Sequence, residues 1–254
     1  AARVPQLWKV ERIMKKQLLL AAVAVAAAAG AAHANNIQSY SVMANYGPDT
    51  PTDSQLLTFD KFDGTLGTLL SVKIKVSLAI SGGFLALDND GADPASGTAE
   101  LGAVTTINGV GVPVIDNAFN NILGSGLVAS NMQGFVLAGN DGDPVNNSFD
   151  AGGPDYFEFN GLPSNNMNMG FVNSGLIGAY NDADGIAGGL DTYGIDVTYT
   201  QVFDYQQLGG VAFSGLPVTV EGTVMIEYTY KAIPAPAAAG LLGLGALVAG
   251  RRRR

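Results

Sequence analysis

The 254-residue chain carries 13 Lys and Arg against 22 Asp and Glu, a net charge of −9, with one His, one Trp and no Cys. Without Cys there are no disulfide staples, so stability has to come from a buried core, which a chain of this length can supply. The acid excess argues against nucleic acid and anionic lipid as partners, because binding to either rests on cationic side chains.

The chain opens with a leader. Met14, Lys15 and Lys16 make a basic start, residues 18–29 are uninterruptedly apolar, and Ala32-His33-Ala34 is the small-x-small site that a signal peptidase needs, which places cleavage before Asn35. Residues 1–13 precede a Met that begins a complete signal peptide on its own, so they read as upstream sequence from an early start, followed by the signal peptide over 14–34. Excision removes His33 and Trp8. The span 35–232 keeps only Lys61, Lys73, Lys75 and Lys231 against 21 carboxylates, a net charge of −17. A body without His, Cys or Arg cannot build a Ser-His-Asp or Cys-His centre, a His or Cys zinc site, or a guanidinium fork for phosphate. Most familiar enzyme mechanisms are excluded, and the chain reads as a non-enzyme.

The body, 35–230, reads as all-β. Val72, Ile74, Val76, Leu78 and Ile80 alternate with Lys73, Lys75 and Ser77, the period of a half-buried strand. Ile195, Val197 and Tyr199 repeat that pattern. The longest alternation sets Val218, Val220, Val224, Ile226, Tyr228 and Tyr230 against Thr219, Glu221, Thr223, Glu227, Thr229 and Lys231, with Met225 the one apolar residue on the polar parity. Shorter strands are expected over 37–43, 56–59, 103–107, 134–137 and 156–159. Gly-, Asn- and Asp-rich turns separate them and no amphipathic helix intervenes. Many short strands with such punctuation predict an antiparallel β-sandwich of jelly-roll type.

The run from Leu56 through Phe59-Asp60, Phe62-Asp63-Gly64, Leu66-Gly67-Thr68-Leu69 and Ser71-Val72 resembles the opening signature of the choice-of-anchor E domain family, a β-rich bacterial surface domain carried with interchangeable C-terminal sorting tails. The resemblance implies a surface domain with no established activity and brings no catalytic residue. Physically, the segment predicts an edge strand, a Gly turn and a core strand.

Three acidic segments hold the body's most chemical-looking pattern: Asp88-Asn89-Asp90-Gly91-Ala92-Asp93, Asn140-Asp141-Gly142-Asp143 and Asn181-Asp182-Ala183-Asp184. The first two follow a Gly-Phe pair, Gly83-Phe84 and Gly134-Phe135, and place Asn-Asp-Gly 51 residues apart. Calcium takes six to eight oxygens, and Asp, Asn and a turning Gly can supply them. The same residues are what tight turns require. Both readings stand at this point: calcium ligands at Asp88, Asp90, Asp93, Asp141, Asp143, Asp182 and Asp184, or turns alone. Glu100, Glu158, Glu221 and Glu227 are the carboxylates from which a glycosidase pair would be drawn, yet Glu221 and Glu227 share the polar face of one strand, as a solvated surface does.

The segment 231–254 reads as a sorting tail. Pro234-Ala235-Pro236 precedes an apolar run over 237–250 and then Arg251, Arg252, Arg253 and Arg254. Counted from Ile233 the apolar stretch is 18 residues, roughly 27 Å as a helix against a ~30 Å hydrocarbon core, long enough to span by a narrow margin. The arginines should stay on the cytoplasmic side. This arrangement resembles the PEP-CTERM class of exosortase-sorted bacterial envelope proteins, with Ala235 where that class usually has Glu. What the resemblance implies is handling by signal peptidase and then by an exosortase-type protease, transient anchoring in the inner membrane, and delivery to the cell surface or exopolysaccharide layer of a Gram-negative bacterium for structural or adhesive work. A calcium-dependent carbohydrate-binding module is the alternative, and a hydrolase using carboxylates alone is a third.

Overall fold

The computed structural model describes residues 37–49, 53–142, 152–182, 191–205 and 210–233. The signal-cleavage residues Ala32, Ala34 and Asn35, the sorting residues Pro234, Pro236 and Arg251 to Arg254, and Asp143 and Asp184 lie outside the described residues. Among the described residues no helix is long and apolar enough to cross a membrane.

The chain is all-β, built from antiparallel sheets with the character of a β-sandwich. Thirteen strands are described: β1 (Ile37–Asp49), β2 (Asp53–Asp60), β3 (Phe62–Asp63), β4 (Gly67–Ser81), β5 (Phe84–Asn89), β6 (Ala95–Val110), β7 (Leu127–Leu137), β8 (Tyr156–Asn160), β9 (Ser164–Phe171), β10 (Asn181–Asp182), β11 (Thr192–Tyr205), β12 (Val211–Leu216) and β13 (Thr219–Ala232). One 3-10 turn spans Ile177–Tyr180. The sheet orders are β1-β13-β4-β9, β2-β11-β6-β7, β12-β5-β8, and the two-residue parallel pair β10-β3. Every predicted strand falls on one of these elements, the long alternation from Val218 beginning one residue before β13. The 56–59 strand is an edge and the 72–80 strand lies inside its sheet, as the alternation and the Gly turn require. Strands β5, β9 and β12, and the two-residue strands β3 and β10, are additions.

The chain divides into two compact units. In the smaller (Ala1–Gln38, Thr65–Thr68, Thr229–Arg254), Tyr230 Oη donates to Gln38 Oε1 at 2.8 Å and Ile233 N donates to the Leu66 carbonyl at 3.1 Å. The larger (Ser39–Gly64, Leu69–Tyr228) holds the main core. There Val72, Ile74, Val76 and Leu78 of β4 and Val220, Val224, Ile226 and Tyr228 of β13 are fully buried, and so are Leu101, Ala103 and Ile107 of β6 with Ile195 and Val197 of β11. The two inner faces meet through tyrosines. Tyr46 stacks on Tyr199 with ring centroids 6.1 Å apart, and the Tyr193 and Tyr228 hydroxyls lie 2.7 Å apart. Tyr180, at the end of the 3-10 turn, meets Tyr193 edge-on at 5.1 Å and donates to the Pro113 carbonyl. Burial raises the Tyr46 phenol to about 12, and it pushes the Tyr180, Tyr193 and Tyr228 phenols well above the usual value. All are neutral packing groups at physiological pH.

Candidate functional site

The first two acidic segments come together. Strand β5 carries Leu85, Ala86 and Leu87 into the core and keeps its pairing with β12 for two residues beyond them, so Asp88 and Asn89 end a strand instead of forming a turn. Both are 1% exposed. Asn89 then ties the two loops. Its side-chain amide donates to the Asp93 carbonyl at 2.9 Å and to the Ala138 carbonyl at 2.6 Å, and its Oδ1 accepts from Gly91 N. From the other side, Asn140 N donates to the Gly91 carbonyl at 2.8 Å, and Asn140 Oδ1 accepts from Gly142 N at 2.7 Å. A side chain at Gly139 would put its Cβ 2.3 Å from the Ala92 carbonyl oxygen, so only glycine lets the loops approach this closely.

The division of labour is chemical. An Asn side chain both donates and accepts, so it can bridge a carbonyl and an N–H. An ionised Asp only accepts. The turn-forming bonds accordingly fall to Asn89 and Asn140. Asp90 and Asp93 project no carboxylate into those bonds, and Asp93 is exposed.

A third participant went unread in the sequence. Asp155, at the start of β8, is 3% exposed, and its Oδ2 accepts from Asp141 N at 2.9 Å. Asp155 Oδ1 and Asp141 Oδ2 both converge on the bare face of Gly153, 2.8 and 3.1 Å from where a Cβ would stand. Its signal was weak: Asp155 follows Gly152-Gly153-Pro154, a combination that reads as an ordinary turn. Two carboxylate oxygens near one point are the beginning of an oxygen cage for calcium. Among the described residues, however, no group of three His, Cys, Asp or Glu side chains is placed to hold a metal ion.

The third acidic segment is not brought to the other two. Asn181 and Asp182 pair in parallel with Phe62 and Asp63, and Asp182 Oδ2, largely buried, accepts from Asp191 N at 3.4 Å. Asp191 in turn faces Lys61 Nζ at 3.7 Å, and its carbonyl accepts from Lys61 N. This is a structural tie around the β3 turn.

The carboxylates weighed as an acid and base pair are also separated. Glu227 is in an ion pair with Lys73 across the outer face of the β13-β4 pair. Glu158 is exposed on β8 and held by the Tyr156 hydroxyl at 2.8 Å and the Asn160 amide at 3.0 Å, two bonds that lower its pKa.

No family model matches the chain, and no curated protein matches it. Among solved structures it is similar to a chain of turnip yellow mosaic virus, 7% identical over 76% of this chain and 93% of that one, with a TM-score of 0.18. A second is the VP2 subviral particle of infectious bursal disease virus, 13% identical over 87% of this chain and 50% of that one, with a TM-score of 0.12. At such scores neither likeness carries an argument about this chain.

Proposed function

We propose that this chain is an exported, acidic β-domain, jelly-roll-like in its larger unit, that does structural or adhesive work in the envelope or exopolysaccharide layer of a Gram-negative bacterium. It is not an enzyme in this reading, and a signal peptidase and an exosortase-type protease process it. The observation that carries the reading is the junction of fold and tail. Strand β13 runs to Ala232 and the Pro-Ala-Pro segment starts two residues later, so the sorting motif hangs directly from a strand with a neighbour on each side in its sheet. A tether attached there would load a ladder of backbone hydrogen bonds, as a surface domain held by one end needs. The −17 body supports solubility in a hydrated matrix and ordinary repulsion from nucleic acid.

The test is the intact mass of protein taken from the surface fraction. It should begin at Asn35 and lack Arg251 to Arg254. Replacing Pro234 and Pro236 with Ala should leave export intact and stop sorting, because two prolines fix an extended segment ahead of the membrane. Surface protein that keeps its arginines would reduce the tail to a plain anchor.

One observation favours a second reading, a calcium-dependent carbohydrate-binding module. It is the convergence of Asp141 and Asp155 beside Gly153.

A further inference from the structure

The outer faces of the two large sheets of the larger unit are unlike in charge and alike in apolarity. On one, β9 presents Met167, Met169 and Phe171, all exposed, opposite Ser77, Lys75 and Lys73 of β4. On the far side of β4, Thr223 N donates to Ser77 Oγ and Glu227 pairs with Lys73. That spacing sets Met225 beside Lys75, which accounts for the one apolar residue on the polar parity of β13. Lys75 thus lies between two methionines. Lys73 is committed to Glu227 and lies 5.9 Å over the Phe171 ring, whereas Lys75 has no ion-pair partner among the described residues.

On the other outer face, β7 presents Val128, Met132 and Val136, the last two 65% and 80% exposed. Met132 stands opposite Glu100 of β6, and Glu100 stands opposite Asp204 of β11. Two carboxylates directly across an antiparallel pair repel each other and are better placed with a cation between them. No lysine in the described structure supplies one. Strands β9 and β7 are each the last strand of their sheet, and the Asn166 amide of β9 donates to the Val128 carbonyl of β7 at 2.7 Å, so the two margins meet while both apolar rows stay exposed on the outer faces.

We propose that these faces bind each other in successive copies of the chain: the Met169-Lys75-Met225 row of one copy docks on the Met132-Glu100-Asp204 row of the next. Apolar rows cover one another, and the unmatched Lys75 meets the unmatched carboxylate pair. Unbranched methionines suit such a contact because they adapt to the surface they meet. The contact is heterologous, so each copy keeps one free face of each kind and the assembly grows as an open chain. The inference does not depend on the tail or on where the protein is sorted.

The experiment is sedimentation velocity on the full chain at roughly 0.15 M salt, where a Debye length of about 8 Å screens the mutual repulsion of two acidic bodies but leaves a contact pair. Wild type should form dimers and longer species as concentration rises. Met169→Glu breaks one face and Met132→Glu the other. Each position is exposed, and an unchanged thermal midpoint shows that the fold is kept. Each variant alone should be monomeric, and a mixture of the two should give a 1:1 dimer that grows no further, since only one intact face of each kind remains. A wild type that is monomeric at every concentration overturns the proposal. So does association indifferent to both substitutions, as contact through the apolar tail would be, or a mixture that stays monomeric.

Discussion

Tyr228 has one hydroxyl hydrogen, and it goes to the Asp60 carbonyl at 2.8 Å, so the 2.7 Å contact with Tyr193 must be closed by the hydrogen of Tyr193. The order of the chain is therefore fixed: Tyr193 donates to Tyr228, which donates to the backbone. Replacing Tyr228 with Phe strands a buried donor and a carbonyl together, at a cost of about 1–3 kcal/mol. Replacing Tyr193 with Phe removes only the donor at the head and should cost less. Each kcal/mol lowers the melting midpoint by roughly 2–4 °C at this size, so thermal unfolding of the two variants ranks them. A larger loss for Tyr193→Phe would reverse the assigned direction. The same tyrosines set an alkaline limit. Their phenols are raised by burial in the folded state, so above the ordinary phenol value, near 10, the unfolded chain releases protons that the folded chain keeps. Stability should be flat below about pH 10 and fall from there through the folded value of Tyr46, about 12. Denaturant midpoints from pH 8 upward, followed with tyrosinate absorbance, would show buried tyrosines ionising only as the protein unfolds.

Elements were legible where one face is buried and the other wet, because only then does period two appear in the residues. Strand β13 shows it over its whole length, buried at Val220, Val224, Ile226 and Tyr228 with the intervening positions more open. Strand β5 gave no such signal, since Leu85 to Asn89 are buried at every position and Asp88-Asn89 imitates the start of a turn. Strand β9 was hidden for the opposite reason. Its Asn166 and Asn168 occupy the parity of the buried residues of β4, and a margin strand whose inner positions are Asn reads as loop by propensity. The pairing of the first two acidic segments was partly written in their shared Gly-Phe and Asn-Asp-Gly spacing. Asp155 was not, because what recruits it is the Asp141 backbone. Element packing also imposes a glycine. A Cβ at Gly222 would lie 2.1 Å from the Ser77 carbonyl oxygen and 2.4 Å from the Tyr46 ring and hydroxyl, which crosses β13 there to reach that same carbonyl. Gly222→Ala should displace Tyr46 and cost about 1–3 kcal/mol or more by overpacking. Gly178→Ala, with nothing within 4 Å, is the control and should leave the midpoint nearly unchanged. Equal midpoints for the two variants would mean that β13 shifts to make room without loss.

At the scale of the molecule, 21 carboxylates against four lysines over 35–232 make folding work against like-charge repulsion, which any salt relieves. Calcium adds to that relief only where the fold builds a site. The described residues bring two carboxylates, Asp141 and Asp155, to one point and no third, while Asn89 and Asn140 carry the bonds that shape the loops. The expected result is therefore that calcium and magnesium, compared at equal ionic strength, raise the melting midpoint alike. A resident site would behave differently. At a hundredfold excess over its dissociation constant, calcium bound only by the folded state contributes about 2.7 kcal/mol, a rise of roughly 5–11 °C that magnesium would not match. Asp141→Asn separates the two cases, because Asp141 is exposed and its backbone N–H still reaches Asp155, so the substitution removes a ligand without removing the loop tie. A calcium-specific rise in the wild type that disappears in Asp141→Asn would make the paired loops a metal site and move the function to the calcium-dependent module. Equal responses in both proteins leave the acidity as a property of the whole surface, spread over sheet faces and loops, which keeps a matrix protein hydrated.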